Sequence, residues 1–256
     1  MKHTIEVDVN KCIGCGACKR DCPTANIKVE DNKAKVITME CLYCGHCEAI
    51  CPKKAISLTD FDEETKEYDE AGRLDPKELM RAIKTRRSIR SFKNKEIAKE
   101  VIEDIIEAGR FAPTGKNAQN VSFIVIEKDK KKIEKIAVTL FRRLAKFIKP
   151  FSKEVSRVEI NEDFFFKKAP TVIVIVSEDK VNGSLAAENM AFMAEAYGLG
   201  VLFSGFFASA VNHSRKLKKE LGLKRKDKAV TALVIGYPNV KYFRTTNKEP
   251  AKVTKL

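Results

Sequence analysis

Apolar residues fall into short periodic runs whose period changes along the chain. Near the start, Ile27 and Val29, and again Ile56 and Leu58, alternate with polar residues and predict two short β-strands. From Asp75 the period becomes helical. Leu79, Met80 and Ile83 mark one face of an amphipathic helix with Asp75 as N-cap, Pro76 at its first position and an end near Thr85. The stretch AKEVIEDIIEAGRFAP predicts a second helix, VSFIVIEKD a strand, and APTVIVIVSED a nearly continuous apolar strand suited to the middle of a sheet. SLAAENMAFMAEAYGLG, alanine-rich on several faces, predicts a buried helix capped by Ser184 and stopped by glycine. KAVTALVIGYP adds a further central strand.

Between the two patterns lies TDFDEETKEYDEAGRLDP, acidic and poor in apolar residues, which reads as a solvated connector. The expected organisation is a small domain over 1–60, an acidic linker over 61–75 and a larger domain over 76–256. A chain of 256 residues is long enough for both. It has no run of about eighteen apolar residues, so no membrane association is expected. A cysteine motif stands where a signal peptide would place its apolar stretch, so the expected location is the cytoplasm. The formal charge of +14 raises the question of nucleic acid, but lysine is spread along the chain and no recognised nucleic-acid-binding motif occurs, so no such partner is expected.

All eight cysteines sit in two runs, CIGCGACKRDCP and CLYCGHCEAICP, each spaced C-x-x-C-x-x-C-x-x-x-C-P. Corresponding cysteines are offset by one constant interval and the flanks CPTANIKV and CPKKAISL match, so the segment is an internal duplication. Clustered thiols in a reducing compartment are more often metal ligands than disulfides. A zinc ribbon needs only two C-x-x-C knuckles per metal, whereas here three cysteines wrap a tight loop and a fourth, followed by Pro23 or Pro52, leaves it. Zinc or disulfides remain the alternative. Residues 1 to about 60 resemble the two-cluster bacterial ferredoxin family, in which the fourth cysteine ligates the other cluster. The resemblance implies one [4Fe-4S] cluster on Cys12, Cys15, Cys18 and Cys51, and another on Cys41, Cys44, Cys47 and Cys22. Such clusters pass single electrons, so the small domain is expected to be a wire.

Downstream, the segment RRSIRSF, if extended, puts Arg86, Ser88 and Arg90 on one face by period-two alternation. Two guanidinium forks and a hydroxyl suit a phosphate dianion, although taken alone a basic surface patch is the favoured reading of that segment. In order along the chain, RRSIRSF, APTGKNAQNVSFIVI, KKAPTVIVIV, GLGVLFSGFF, VIGYP and KYFRTT resemble the nitroreductase family of FMN-dependent reductases over residues 76 to 256.

That resemblance implies an α+β fold, a mixed and mostly antiparallel sheet wrapped by helices, in an intertwined homodimer with FMN at the interface. By position it implies that Arg86, Ser88 and Arg90 hold the phosphate and ribityl end and that Arg244 closes the phosphate site. Pro113, Thr114 and Asn117, with Gly115 in the same turn, correspond to a loop lying against the flavin from the partner chain. Ser204 and Gly205 correspond to the segment whose backbone amides face flavin N5 and O4 and stabilise charge on the reduced ring. As plain alternatives, Asn117 caps a turn and Gly205 permits a bend. The chain departs from many members after Gln119, where Asn120 and Val121 follow and no tryptophan occurs. The basic, phenylalanine-rich stretch between the apolar strands corresponds to a mobile cover, with Phe147, Phe151 and Phe164 as candidates to stack on a planar substrate or, at helical spacing, to form helix core.

Together the two resemblances imply an oxidoreductase in which single electrons pass through the clusters to FMN, which reduces a nitroaromatic, quinone or similar conjugated acceptor by hydride transfer. The cofactor carries that chemistry, so no side chain is nominated as catalytic. An NAD(P)H-oxidising flavoprotein that sends electrons outward, or a pure electron-transfer partner protein, are the alternatives. An external carrier such as ferredoxin or flavodoxin, or NAD(P)H, is the expected electron partner.

Overall fold

The chain divides into two compact units, Met1–Arg73 with Thr114–Ala118, and Leu74–Pro113 with Gln119–Leu256. The structure, a computed structural model, describes residues 4–38, 40–61, 63, 65–67 and 72–256. Residues 62, 64 and 68–71 of the expected acidic connector lie outside the described residues.

The duplication fixes the first unit. Each half is a strand, a cysteine loop with a short helix, and a strand: β1 (Ile5–Val7), α1 (Ala17–Asp21), β2 (Ile27–Glu30), then β3 (Lys33–Val36), α2 (His46–Ala49), β4 (Ile56–Leu58). The halves pair crosswise and antiparallel, β1 with β4 (Val7 opposite Ile56) and β2 with β3 (Ile27 opposite Val36). Ile27, Ala34, Ala55 and Ile56 pack with Cys12, Cys18 and Cys47 into one small core. β2 and β4 are the strands the alternation predicts. β1 and β3, three and four residues long, carry the same alternation, Ile5 with Val7 and Ala34 with Val36, and pairing with the other half holds them as strands.

In the second unit α3 (Pro76–Thr85) begins where predicted, with the Asp75 side chain accepting from the Glu78 N–H at 2.8 Å. The following segment runs extended, and α4 (Lys99–Arg110), β5 (Ser122–Ile126), α5 (Lys130–Ile148), α6 (Lys153–Arg157), β6 (Thr171–Val176), α7 (Lys180–Ala196), β7 (Gly200–Phe203), α8 (Gly205–His213), α9 (Arg215–Glu220) and β8 (Ala229–Gly236) complete it. The sheet order is β5-β6-β8-β7, antiparallel throughout. A parallel bridge from Ser88 to Val201 on β7 makes the pairing mixed.

Alternation along the central strands builds three layers. Ile173, Ile175, Leu233 and Ile235 face α4 and α7, while Val172, Val174, Val176, Ala232 and Val234 face α5, α8 and α9. Every residue of β6 is buried, as its unbroken apolar run predicts.

Two expectations change. α7 starts at Lys180, with Asp179 as its cap accepting from the Val181 and Asn182 N–H groups, so Ser184 lies inside the helix. An aspartate whose carboxylate reaches two first-turn donors displaces the later serine. The phenylalanine-rich stretch also divides. Phe164 packs edge-on against Phe165 at 5.0 Å, beside the buried Phe165 and Phe166, and so belongs to the core. Phe147 and Phe151 are 77% and 90% exposed.

Candidate functional site

The crosswise pairing sorts the cysteines. β1 runs into the loop that begins at Cys12, and beside it lies β4, entered from Cys51; β3 leads toward Cys41, and beside it lies β2, entered from Cys22. Each fourth cysteine is thereby carried to the other half's loop. One hollow is lined by Cys12, Cys15, Cys18 and Cys51, the other by Cys22, Cys41, Cys44 and Cys47. All eight are free thiols. Among the described residues no three His, Cys, Asp or Glu side chains converge on a single ion. Four thiols around one hollow suit a cube, which takes one cysteine on each of four irons.

Backbone donors already point at the sulfurs. Sγ of Cys22 and Cys51 each accept from the N–H four residues on, of Asn26 and Ala55, both at 3.2 Å, which is the duplication repeated at atomic level. Sγ of Cys12 accepts from Ala34 and Sγ of Cys41 from Tyr43. Burial raises the Cys22 thiol, but bonds from Thr24 and the backbone N–H groups outweigh it and the net shift is downward. Burial pushes Cys47 up to about 11, so only a strong local positive charge, such as a coordinated metal, holds it as thiolate. Gly14 permits the first loop, since its φ is +68° and a Cβ there would stand 2.3 Å from the Asn32 carbonyl oxygen.

In the second unit the segment after α3 runs extended beside β7, with the Ile89 N–H donating to the Val201 carbonyl at 3.0 Å. Ile89 points into the core, the residues on either side of it, Ser88 and Arg90, are exposed, and Arg86 is half-buried. Arg86 is pinned. Its Nη2 donates to Glu188, its guanidinium lies 4.7 Å over the Phe192 ring, and its buried Nε has no hydrogen-bond partner. Glu188 and Phe192 sit one turn apart on α7 and are absent from the sequence reading; a glutamate in an otherwise alanine-rich buried helix was the available signal. The Arg244 carbonyl accepts from Arg87, and the Arg244 residue itself is exposed. Ser204 is buried and precedes α8, whose first turn has no side-chain cap. A Cβ on Gly205 would meet nothing within 4 Å, so space is open above these amides. The loop divides at Pro113: Thr114, Gly115 and Asn117 belong to the first unit, where Asn117 Nδ2 donates to the carbonyls of Leu42 and Tyr43, 2.9 Å each.

The orphaned guanidinium N–H of Arg86 fits an acceptor such as a phosphate oxygen, because a buried donor left unpaired costs roughly 1–3 kcal/mol. Uncapped N–H groups at the start of α8 fit an electron-rich acceptor edge. The donor set therefore fits a phosphorylated planar cofactor, and the thiol set fits two iron–sulfur clusters.

An α+β sheet unit with such an edge, joined to a doubled cysteine unit, defines an oxidoreductase with a ferredoxin-type dicluster domain. Residues 83–237 match the nitroreductase family, and the chain belongs to it; residues 4–52 match the 4Fe-4S dicluster domain. The chain is similar to a putative NADH dehydrogenase/NAD(P)H nitroreductase of Methanothermobacter thermautotrophicus, 26% identical over 145 residues, which span 53% of this chain and 65% of that relative. It is 26% identical over 140 residues to an NADPH-dependent oxidoreductase of Staphylococcus aureus, 53% of this chain and 56% of that one. The chain thus spans less than two thirds of each of these relatives. A crystal structure of a nitroreductase with bound FMN from Bacteroides fragilis shares the fold, with a TM-score of 0.58 and 21% identity over 70% of this chain and 98% of that one.

Proposed function

We propose that this protein passes single electrons through two [4Fe-4S] clusters to FMN and reduces a nitroaromatic, quinone or similar conjugated acceptor. The observation that carries the reading is the sorting of eight cysteines into two four-thiol hollows within a chain of the nitroreductase family. Flavin supplies the exchange between one-electron and two-electron chemistry, delivering a hydride equivalent from N5. Arg86, Ser88 and Arg90 hold its phosphate, with Arg244 closing that end. The amides following Ser204 stabilise negative charge at the N5 and O4 edge without reorganising.

Homodimer formation belongs to the same reading. α3 has no buried residue, and its apolar face of Leu79, Met80 and Ile83 is open, as are Tyr242, Phe243 and Val253 of the C-terminal tail. A second copy covers such surfaces at the least cost in exposed apolar area. Among the described residues no helix is long and apolar enough to cross a membrane, and eight thiols need a reducing compartment, which supports a cytoplasmic location.

The names of the relatives favour a second direction, in which NAD(P)H reduces the flavin and the clusters carry electrons outward. One experiment separates the two. Protein purified without oxygen should hold about eight irons, equal acid-labile sulfide and one FMN per chain. It is then titrated separately with NADH, NADPH and reduced ferredoxin while flavin bleaching is followed. Bleaching by ferredoxin alone supports the inward route, and bleaching by a nicotinamide alone supports the outward one. Zinc without sulfide sinks both.

A further inference from the structure

The two halves of the duplication are not equivalent at their first C-x-x-C turn. In the second half, Leu42 and Tyr43 lie between the ligands Cys41 and Cys44, and both carbonyls accept from Asn117 Nδ2. The peptide joining Leu42 to Tyr43 is engaged at both ends. Its C=O accepts from Asn117, while its N–H donates to Cys41 Sγ at 3.2 Å. The first half has Ile13 and Gly14 at the matching positions, and among the described residues no side-chain amide reaches their carbonyls; Lys33 Nζ reaches the Cys12 carbonyl instead, at 2.6 Å.

We infer that Asn117 is a positioning residue that raises the reduction potential of the cluster held by Cys22, Cys41, Cys44 and Cys47. This rests on the dicluster reading above. A donor on a peptide oxygen polarises the same peptide's N–H, so the bond to sulfur strengthens. A stronger N–H···S bond favours the more negative, reduced cluster and raises its potential. Asn117 also holds the turn. Tyr43 sits at φ 49°, a left-handed conformation that glycine takes freely at the equivalent Gly14 and that a tyrosine needs neighbours to maintain. Asn117 lies in the very segment that the family resemblance aligns with the flavin-facing loop, so the residue that raises this cluster's potential belongs to the electron acceptor's own loop.

The test uses the full chain, reconstituted anaerobically with iron and sulfide, and follows each reduced cluster by EPR at poised potentials. Cys51→Ser removes a ligand of the Cys12 cluster and so identifies its wave. Asn117→Gly deletes the donor at a position whose φ of 51° glycine tolerates. At the parent's midpoint the reduced-to-oxidised ratio of the Cys41 cluster should fall about tenfold, about 59 mV for a one-electron couple, with the other wave unmoved. Asn117→Asp, which keeps the size and loses the donor, should shift the same wave in the same direction. The proposal is overturned if both variants retain both clusters and neither wave moves, or if both waves move equally. A parent chain that gives no [4Fe-4S] signal would overturn the dicluster reading, and this proposal with it.

Discussion

At the residue scale, one buried carboxylate carries a pH dependence. Glu134 on α5 is buried and its Oε1 accepts from the Phe165 and Phe166 N–H groups at 2.9 and 2.7 Å. Burial pushes its carboxyl up to about 7, against those two bonds, with Asp163 adding to the rise and Lys167 opposing it. The folded protein therefore keeps a proton that the unfolded chain, near 4.5, releases. Stability contributed by this group falls as pH rises between those values, by on the order of 3 kcal/mol for a shift of this size. Glu134→Gln keeps the acceptor oxygen and removes the charge. It should match the parent in denaturant midpoint at pH 5 and exceed it at pH 8, and equal midpoints at both would show that Glu134 ionises freely. A second prediction concerns Cys51. Since β4 delivers it to the hollow of Cys12, Cys15 and Cys18, Cys51→Ser should damage that cluster and spare the one whose other three cysteines are nearest in sequence. Iron content near four per chain with the unmoved EPR signal of the Cys41 cluster is the expected result.

At the element scale, the phosphate edge depends on how closely its strand lies on β7. A Cβ on Gly200 would stand 2.4 Å from Ile89 Cγ1, and Ile89 lies between Ser88 and Arg90. Gly200→Ala should destabilise the second unit by about 1–3 kcal/mol through overpacking and weaken FMN binding with it. Gly205→Ala meets open space, so stability should hold within about 0.5 kcal/mol while flavin affinity drops. Equal FMN dissociation constants for Gly205→Ala and the parent would place the ring elsewhere.

The long elements were legible because their period is set by burial. β6 and β8 lie in the middle of the sheet and read as unbroken apolar runs, and α3 announces itself through Asp75 and Pro76. β1 and β3 were not, since runs of three and four residues are too short for their alternation, Ile5 with Val7 and Ala34 with Val36, to mark a strand by itself, and their pairing comes from the other half of the duplication. The site divides in the same way. Cysteine spacing and the alternation of Arg86, Ser88 and Arg90 are local and visible. Glu188 under Arg86, and Leu42 against Asn117, are long-range partners that one linear pattern does not encode.

At the scale of the whole molecule, the buried residues of the second unit all lie between Ile89 and Gly236. A chain shortened to begin at Asp75 should therefore fold, dimerise and bind FMN. It should reduce a nitroaromatic with dithionite as the electron source and fail with reduced ferredoxin as the only donor. Undiminished turnover with ferredoxin would mean that electrons enter at the flavin directly.

The first unit is also discontinuous, because it takes Thr114–Ala118 from far along the chain. On a ribosome adding about 5–20 residues per second, Asn117 emerges roughly 4–15 seconds after Leu42 and Tyr43, the partners it will hold. During that interval the second cysteine loop is already outside and lacks its amide donor. A nascent chain arrested before Thr114 therefore presents eight thiols in which one turn is less constrained than the other, so the two halves of a duplicated sequence differ before the chain is complete.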